Sequence, residues 1–328
     1  MIEIMKTILS GIKPTGKPHL GNYFGYFRQM INLQNEYRTF AMIADYHALN
    51  FIQNADEMRK LTKEVVIDFL ALGFDTEKNI LFKQSDLPEH TELAWIFDTI
   101  MSVPYLKRAH AYKDAVDKGK EDEVSMGTFN YPMLMAADIL LYSPDIVPVG
   151  QDQKQHIEFA RDTAEKFNRV FGETFKLPEA YIMKEVEVVP GIDGRKMSKS
   201  YGNYISLFAE DNEIEEKVMA IVTDSSGERP ENVYAIHRLL ATDDGSTSLT
   251  IDKLEEVYRE NKGQYKKLKE ILIEDLKKFI GPLREKRTEI AKDPDIVTKV
   301  LEEGKEKARA VAGSKMSEVR RAVGVKYA

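Results

Sequence analysis

The sequence predicts an α/β protein, a doubly wound parallel sheet followed by an α-helical C-terminal domain, on three observations. Through the first half of the chain, short apolar runs bounded by Gly and Pro alternate with stretches of helical spacing. Beyond a glycine-flanked basic loop, "GIDGRKMSKSYGN" from Gly191 to Asn203, the composition shifts to Glu, Lys, Leu and Ile at helical spacing. At 328 residues, 43% hydrophobic and 31% charged, the chain is long enough for one large core and a smaller one.

Each element follows in order. "TILSGI", Thr7 to Ile12, is short, apolar and reads as a buried first strand running into the Gly/Pro loop "KPTGKPHLGN". "YFGYFRQMINLQNEY" repeats its apolar positions at helical spacing. "TFAMIADYHAL", Thr39 to Leu49, reads as a second buried strand, and "ADEMRKLTKEVVIDFLALGF" as an amphipathic helix stopped by Gly73. "NILFKQSD" is a third strand, "YPMLMAADILLY" a buried helix, and "DIVPVGQDQKQHIEFARDTAEKFN" a strand, loop and helix. This alternation makes a Rossmann-like sheet, in which ligands bind beyond the carboxyl ends of the strands. Residues 11–22 and Asp45 to His47 are placed there. The boundary falls at the basic loop: residues 1–193 form the sheet domain, and 194–328 the loop and the helical domain.

Composition narrows the function. Without cysteine there is no disulfide framework, thiolate zinc site or iron–sulfur cluster. The N-terminus lacks the apolar run of a signal peptide and no run is long enough to span a membrane, so a cytoplasmic location is expected. A net charge of −7 argues against nonspecific coating of nucleic acid, though residues 262–292 carry 10 Lys/Arg against 5 Asp/Glu, a local surplus of 5. That surplus is either a track for an RNA backbone or a solvated helix face.

The motifs sharpen the reading. "GIKPTGKP", Gly11 to Pro18, has P-loop spacing, but Pro18 stands where that motif needs a hydroxyl for magnesium, which disfavours a P-loop NTPase. "HLGN" follows at a helix start, where His19, Gly21 and Asn22 would meet a nucleotide at the positive end of the helix dipole. In the basic loop, Lys196 and Lys199 lie three apart, which makes it either a solvated basic turn or a clamp in which both fold onto phosphate, with Ser198 and Ser200 as hydroxyl donors. His47 is either a packed, hydrogen-bonded histidine or a pocket residue. Met135 and Asp138 are about one helical turn apart, and an acid amid "MLMAADILLY" is costly to bury unless satisfied.

Together "SGIKPTGKPHLGNY", "ADYHAL", "YPMLMAADILLY", "VPVGQDQKQHIE" and "GRKMSKSYGN" resemble the class I aminoacyl-tRNA synthetases, most closely the bacterial tryptophanyl enzymes, over nearly the whole length. Asn22 stands where the wider class has its second histidine. The resemblance implies activation of tryptophan by ATP, with transfer of the acyl group to the terminal ribose of tRNA(Trp). It also implies magnesium held mainly by ATP phosphates rather than by a protein metal site, and a homodimer. The carboxylate nucleophile is already ionised, so the work is positioning and charge stabilisation.

Carried over residue by residue, the resemblance assigns catalysis to His19, Asn22, Lys196 and Lys199. It assigns ATP to Lys13, Pro14, Thr15, Gly21, Asn22, Gly150, Gln151, Asp152, Val189 and the loop residues Lys196, Met197, Ser198, Lys199 and Ser200. Tryptophan falls to Leu9, Gly11, His47, Tyr131, Met135, Asp138 and Gln153, with Asp138 accepting the indole N–H and Met135 packing on the ring. Either Lys113 or Lys118, in a charged stretch expected to be mobile, closes on the phosphates. The helical domain is assigned anticodon recognition. A tyrosyl enzyme is the nearest alternative, since an aspartate accepts from a phenol as readily as from an indole. A nonenzymatic nucleotide or RNA binder and a free-standing nucleotidylyltransferase fit less well, given intact loop lysines and a long helical C-terminal domain.

Overall fold

In a computed structural model describing residues 5–149, 154–182, 188–223, 229–242 and 249–326, the apolar run TILSGI forms β1 (Thr7–Ile12) at the centre of the sheet. The Gly/Pro loop leads into α1 (Leu20–Asn22), a π-helical stretch Tyr23–Phe27 and α2 (Arg28–Leu33). β2 (Arg38–Ile43) ends short of the predicted Leu49, because α3 (Asp45–Ala48) is a helical turn. The Asp45 carboxylate accepts from the Tyr46 and Ser85 N–H groups at 3.1 and 3.0 Å, which draws the backbone out of the strand. α4 (Ala55–Ala71) is capped by Asn54, whose side chain accepts the Glu57 N–H at 2.9 Å, and it ends before Gly73 as predicted.

β3 (Ile80–Lys83) is followed by α5 (Glu89–Asp98), α6 (Val103–Leu106), α7 (His110–Asp117) and α8 (Met126–Leu140). The stretch carrying Lys113 and Lys118 forms α7 and its C-cap, with Tyr112 buried. β4 (Ile146–Val149), α9 (Lys154–Phe171) and β5 (Glu179–Ile182) complete the sheet domain. β5 has no counterpart in the sequence reading, being four residues at a sheet edge with no apolar run to announce it.

Among the described residues the five named strands pair in parallel, in the order β3-β2-β1-β4-β5. The predicted doubly wound α/β fold is present. Strand order reverses between β1 and β4, which opens a crevice at their carboxyl ends, the place where such sheets bind ligands.

After the basic loop come α10 (Asp211–Met219), α11 (Glu231–Leu240), α12 (Ile251–Glu260), α13 (Tyr265–Ala291) and α14 (Ile296–Ala322). One core packs α5, α8 and α9 on the sheet, and α14 joins it through Ala308, Ala312, Met316 and Val319. The other packs α4, α10, α11 and α13 on the opposite face. α14 docks at β3 because residue 304 is glycine: a Cβ there would lie 1.8 Å from the Leu81 carbonyl oxygen. Arg287 of α13 donates to Asp68 of α4 at 2.6 Å and also pairs with Glu64, while Arg320 of α14 donates to Glu92 of α5 at 2.7 Å.

Candidate active site

The crevice holds a cavity of ≈ 480 Å³, within the range of roughly 300–1,000 Å³ usual for small-molecule sites. β1 and its loop contribute Leu9, Ser10, Gly11 and Lys13, the chain after β2 contributes Ala44 and His47, and β4 contributes Val147 and Pro148. α8 supplies Tyr131, Met135, Asp138 and Ile139 at one-turn intervals, so they share the face turned to the sheet. Leu9, Gly11, His47, Tyr131, Met135 and Asp138, the described residues the resemblance assigns to tryptophan, therefore line one cavity, and Lys13 joins them. Its mouth includes the exposed ring of Phe51, over which Lys13 lies at 5.1 Å from the centroid.

Asp138 is 2% exposed and heavily hydrogen-bonded. Its carboxylate accepts from His90 Nδ1 at 2.7 Å, His47 Nε2 at 2.9 Å, and Gln84 Nε2 at 2.8 and 3.0 Å. Burial pushes its pKa up, but the hydrogen bonds from His47 and His90 outweigh that and hold it at about 2, so the group is an anion at neutral pH. Gln84 also accepts the Tyr46 N–H at 3.1 Å, tying the turn that carries His47 to the same network. On the other wall, the Tyr131 hydroxyl lies 2.6 Å from His156 Nε2. Gln84, His90 and His156 were not singled out in the sequence. Gln84 directly follows β3, so the strand-end rule pointed to it, whereas nothing in the spacing marked His90.

The two loops expected to meet ATP meet each other. His19 and Asn22 form a reciprocal cap: the His19 N–H donates to Asn22 Oδ1 at 3.1 Å, and the Asn22 N–H donates to His19 Nδ1 at 3.3 Å. Nδ1 is thus an acceptor and Nε2 carries the proton. Burial, helped by the Lys199 charge, lowers the His19 pKa to about 4, so the ring is neutral. Gly21 lies between the His19 ring and Met197, whose side chain is buried. Lys199 Nζ donates to the carbonyls of Thr15 and Gly16 at 3.0 and 2.8 Å. Pro14 is buried beneath that loop and Thr15 is exposed.

Asn203 shapes the basic loop. It accepts the Ser198 N–H at 2.8 Å and donates to Asp193 at 2.7 Å and to the Lys196 carbonyl at 3.2 Å. Arg195, one of the loop's three cations, pairs with Asp193, leaving Lys196 exposed and Lys199 turned inward. The Ser198 and Ser200 hydroxyls lie 2.8 Å apart. Val189 is buried and its carbonyl accepts the Met197 N–H at 2.8 Å.

Other expectations separate. Gly150, Gln151, Asp152 and Gln153 lie outside the described residues. Lys113 and Lys118 are exposed and do not line the cavity, although Ala111 of the same helix does. The basic surplus of residues 262–292 is largely engaged within the chain. Lys269 is buried and donates to the Met219 and Ile221 carbonyls at 2.8 and 2.7 Å, and Lys277, Lys278, Arg284, Arg287 and Lys292 have acidic partners. Part of that charge fastens α13 to its neighbours, through Lys269, Lys277, Arg284 and Arg287, while Lys278 and Lys292 pair along the helix and stay exposed.

With this geometry in place, the relatives can be compared. A family described as tRNA synthetases class I (W and Y) matches residues 5–290. The chain is 44% identical to the tryptophan–tRNA ligase of Fusobacterium nucleatum, covering 98% of each chain. It is 43% identical to that of Rhodopirellula baltica, over 97% of this chain and 99% of the relative. Its fold is similar to the crystal structure of Campylobacter jejuni tryptophanyl-tRNA synthetase complexed with ADP and tryptophan. There the TM-score is 0.87 at 38% identity, covering 97% of this chain and 99% of the other.

Proposed function

The chain belongs to the class I tRNA synthetases of the tryptophan and tyrosine group, and we propose that the cavity at the ends of β1, β2 and β4 is where it joins tryptophan to ATP. It is a tryptophan–tRNA ligase, which forms tryptophanyl-adenylate and then Trp-tRNA(Trp), AMP and pyrophosphate. One observation carries the site assignment: Asp138, an anion 2% exposed and backed by three donor side chains, faces a cavity walled by Leu9, Met135, Ile139 and Val147. An apolar slot with one buried acceptor suits a flat aromatic that carries an N–H on its edge.

In this reading tryptophan lies between Leu9 and Met135, its indole N–H donating to Asp138, with Gly11, His47, Tyr131 and Gln153 completing the pocket. Its carboxylate attacks the α-phosphorus of ATP and pyrophosphate leaves. No protein base is needed. Negative charge grows on the leaving group, and Lys196 and Lys199 neutralise it, with Ser198 and Ser200 donating in support. The neutral His19 donates through Nε2 to a phosphate oxygen, and Asn22 keeps that ring oriented. Lys13, Pro14, Thr15, Gly21, Gly150, Gln151, Asp152, Val189 and Met197 hold the nucleotide. When bound with ATP, Mg²⁺ supplies further neutralisation of the phosphates. The lysine-rich loop suits a metal–phosphate complex that is still anionic, and would repel a bare cation.

Residues 1–193 are assigned to catalysis and residues 194–328 to the loop and anticodon recognition. α14 serves both, since it shares the sheet's core. Trp95 of α5 and Val103 of α6, both exposed, offer apolar surface to a second copy, consistent with a homodimer. Consumption of the product in protein synthesis supports a cytoplasmic location. Among the described residues no helix is long and apolar enough to cross a membrane. Purified chain, ATP, magnesium, tryptophan and tRNA(Trp) are expected to yield acid-stable, alkali-labile Trp-tRNA; formation of adenylate without any charged tRNA would refute the second half of the reaction.

A further inference from the structure

Behind the cavity a second hydrogen bond continues the Asp138 network into the core. His90 is fully buried, with Nδ1 2.7 Å from Asp138 and Nε2 2.9 Å from the Tyr142 hydroxyl. Tyr142 is 4% exposed, its ring packed 5.1 Å from Phe40 and 5.3 Å from Phe82. We infer that Tyr142 is a positioning residue for substrate recognition: through His90 it fixes which proton reaches Asp138, and so keeps that carboxylate a pure acceptor toward the cavity. The inference rests on the assignment of Asp138 to the indole N–H.

The tautomer follows from the partners. Asp138 is ionised and can only accept, so His90 Nδ1 carries a proton. Among the described residues the Tyr142 hydroxyl has no hydrogen-bond partner other than His90 Nε2. Were Nε2 also protonated, the hydroxyl would have to accept, and its own proton would be stranded amid Phe40 and Phe82, the costly alternative in a buried site. The hydroxyl therefore donates to a bare Nε2, and His90 is the neutral Nδ1–H tautomer.

That choice matters to the pocket. A neutral His90 stabilises the Asp138 anion without cancelling its charge, leaving it a strong acceptor for an incoming N–H. If Nε2 took the proton instead, either the ring would turn a lone pair on the carboxylate or a doubly protonated His90 would neutralise it. Other charged or titratable groups facing this pair are His47, in contact with Asp138, and Glu89, close enough to act on Tyr142. Arg320, whose charge also feels Glu89, is held by Glu92. Among the described residues none of these gives Nε2 an alternative hydrogen bond.

Tyr142→Phe keeps the ring and removes the hydroxyl. In tryptophan-dependent pyrophosphate exchange, KM for tryptophan is expected to rise about tenfold, the scale of one neutral hydrogen bond, with kcat and KM for ATP changed less than about twofold. In ¹⁵N-histidine spectra of the unsubstituted protein, His90 is expected as Nδ1–H with an unprotonated Nε2, a signature lost in Tyr142→Phe. An unchanged KM for tryptophan in that variant would overturn the inference. So would a protonated Nε2 in the parent, a measurement that decides the matter even if the variant does not fold. Asp138→Asn separates the levels. If it leaves KM for tryptophan unchanged, the Asp138 assignment and this inference both fail; if it raises KM while Tyr142→Phe does not, only this inference fails.

Discussion

The Lys199 ammonium donates to the Gly16 carbonyl at 2.8 Å, and that contact joins the basic loop to the first strand-to-helix loop. A neutral carbonyl is a weaker partner for an ammonium than an anionic phosphate oxygen, which adds charge–charge attraction to the hydrogen bond. Lys199 is thus held beside the place where phosphate is expected, on partners it can exchange.

Removing that cation tests its role in the transition state. Lys199→Ala is expected to lower kcat of tryptophan-dependent pyrophosphate exchange by about 100-fold or more. KM for tryptophan is expected to stay within about twofold, since the amino-acid pocket is lined by other elements. Steady-state kinetics separate the two parameters. A loss confined to KM would mean that the loop binds substrate without stabilising charge as it develops.

The pairing of Arg287 with Asp68 ties α13 to α4 in a buried setting, Asp68 being 1% exposed. Arg287→Met leaves Asp68 buried without its guanidinium and is expected to cost about 3–5 kcal/mol in urea unfolding. Adding Asp68→Asn removes the stranded carboxylate and should restore part of that loss. A double variant as unstable as the single one would show that lost packing, rather than an unpaired charge, sets the cost.

His19 sets a pH dependence of definite sign. Its folded-state pKa of about 4 lies below the ordinary 6.5, so between these values the unfolded chain binds the proton that the native ring refuses. Its stabilising contribution is complete above about pH 6.5 and is lost as pH falls to about 4. The slope approaches about 1.4 kcal/mol per pH unit within that window. Asp68 works in the opposite sense: burial raises it to about 6 against the pull of Arg287, so its contribution is lost as pH rises through that value. Total stability therefore mixes the two, and the comparison to make is the parent against His19→Gln, with stability measured across pH 4 to 7. Parallel curves would contradict a depressed His19 pKa.

The large elements were legible because their periodicity is local: the TILSGI strand, the helix ending before Gly73 and the long helices after Asp211 each carry their pattern within one segment. β5 was not, since four edge residues carry too little pattern, and α3 was read as strand because the hydrogen bonds to Asp45 come partly from Ser85. In the site, residues on motifs converge on one cavity, but the donors that hold Asp138 do not belong to its motif. Gln84 and His90 precede it by 54 and 48 residues, and only the fold brings them together. The partners of the basic surplus of α13 were hidden for the same reason: Lys269, Arg284 and Arg287 find theirs on other elements.

The central claim, that an anionic Asp138 at the end of an apolar slot selects tryptophan for activation beneath the Lys199 loop, is tested most directly by amino-acid-dependent exchange of pyrophosphate into ATP. The account predicts rapid exchange with tryptophan and almost none with tyrosine. Equal or reversed rates would contradict the substrate assignment, and absence of exchange with any amino acid would contradict the activation chemistry itself.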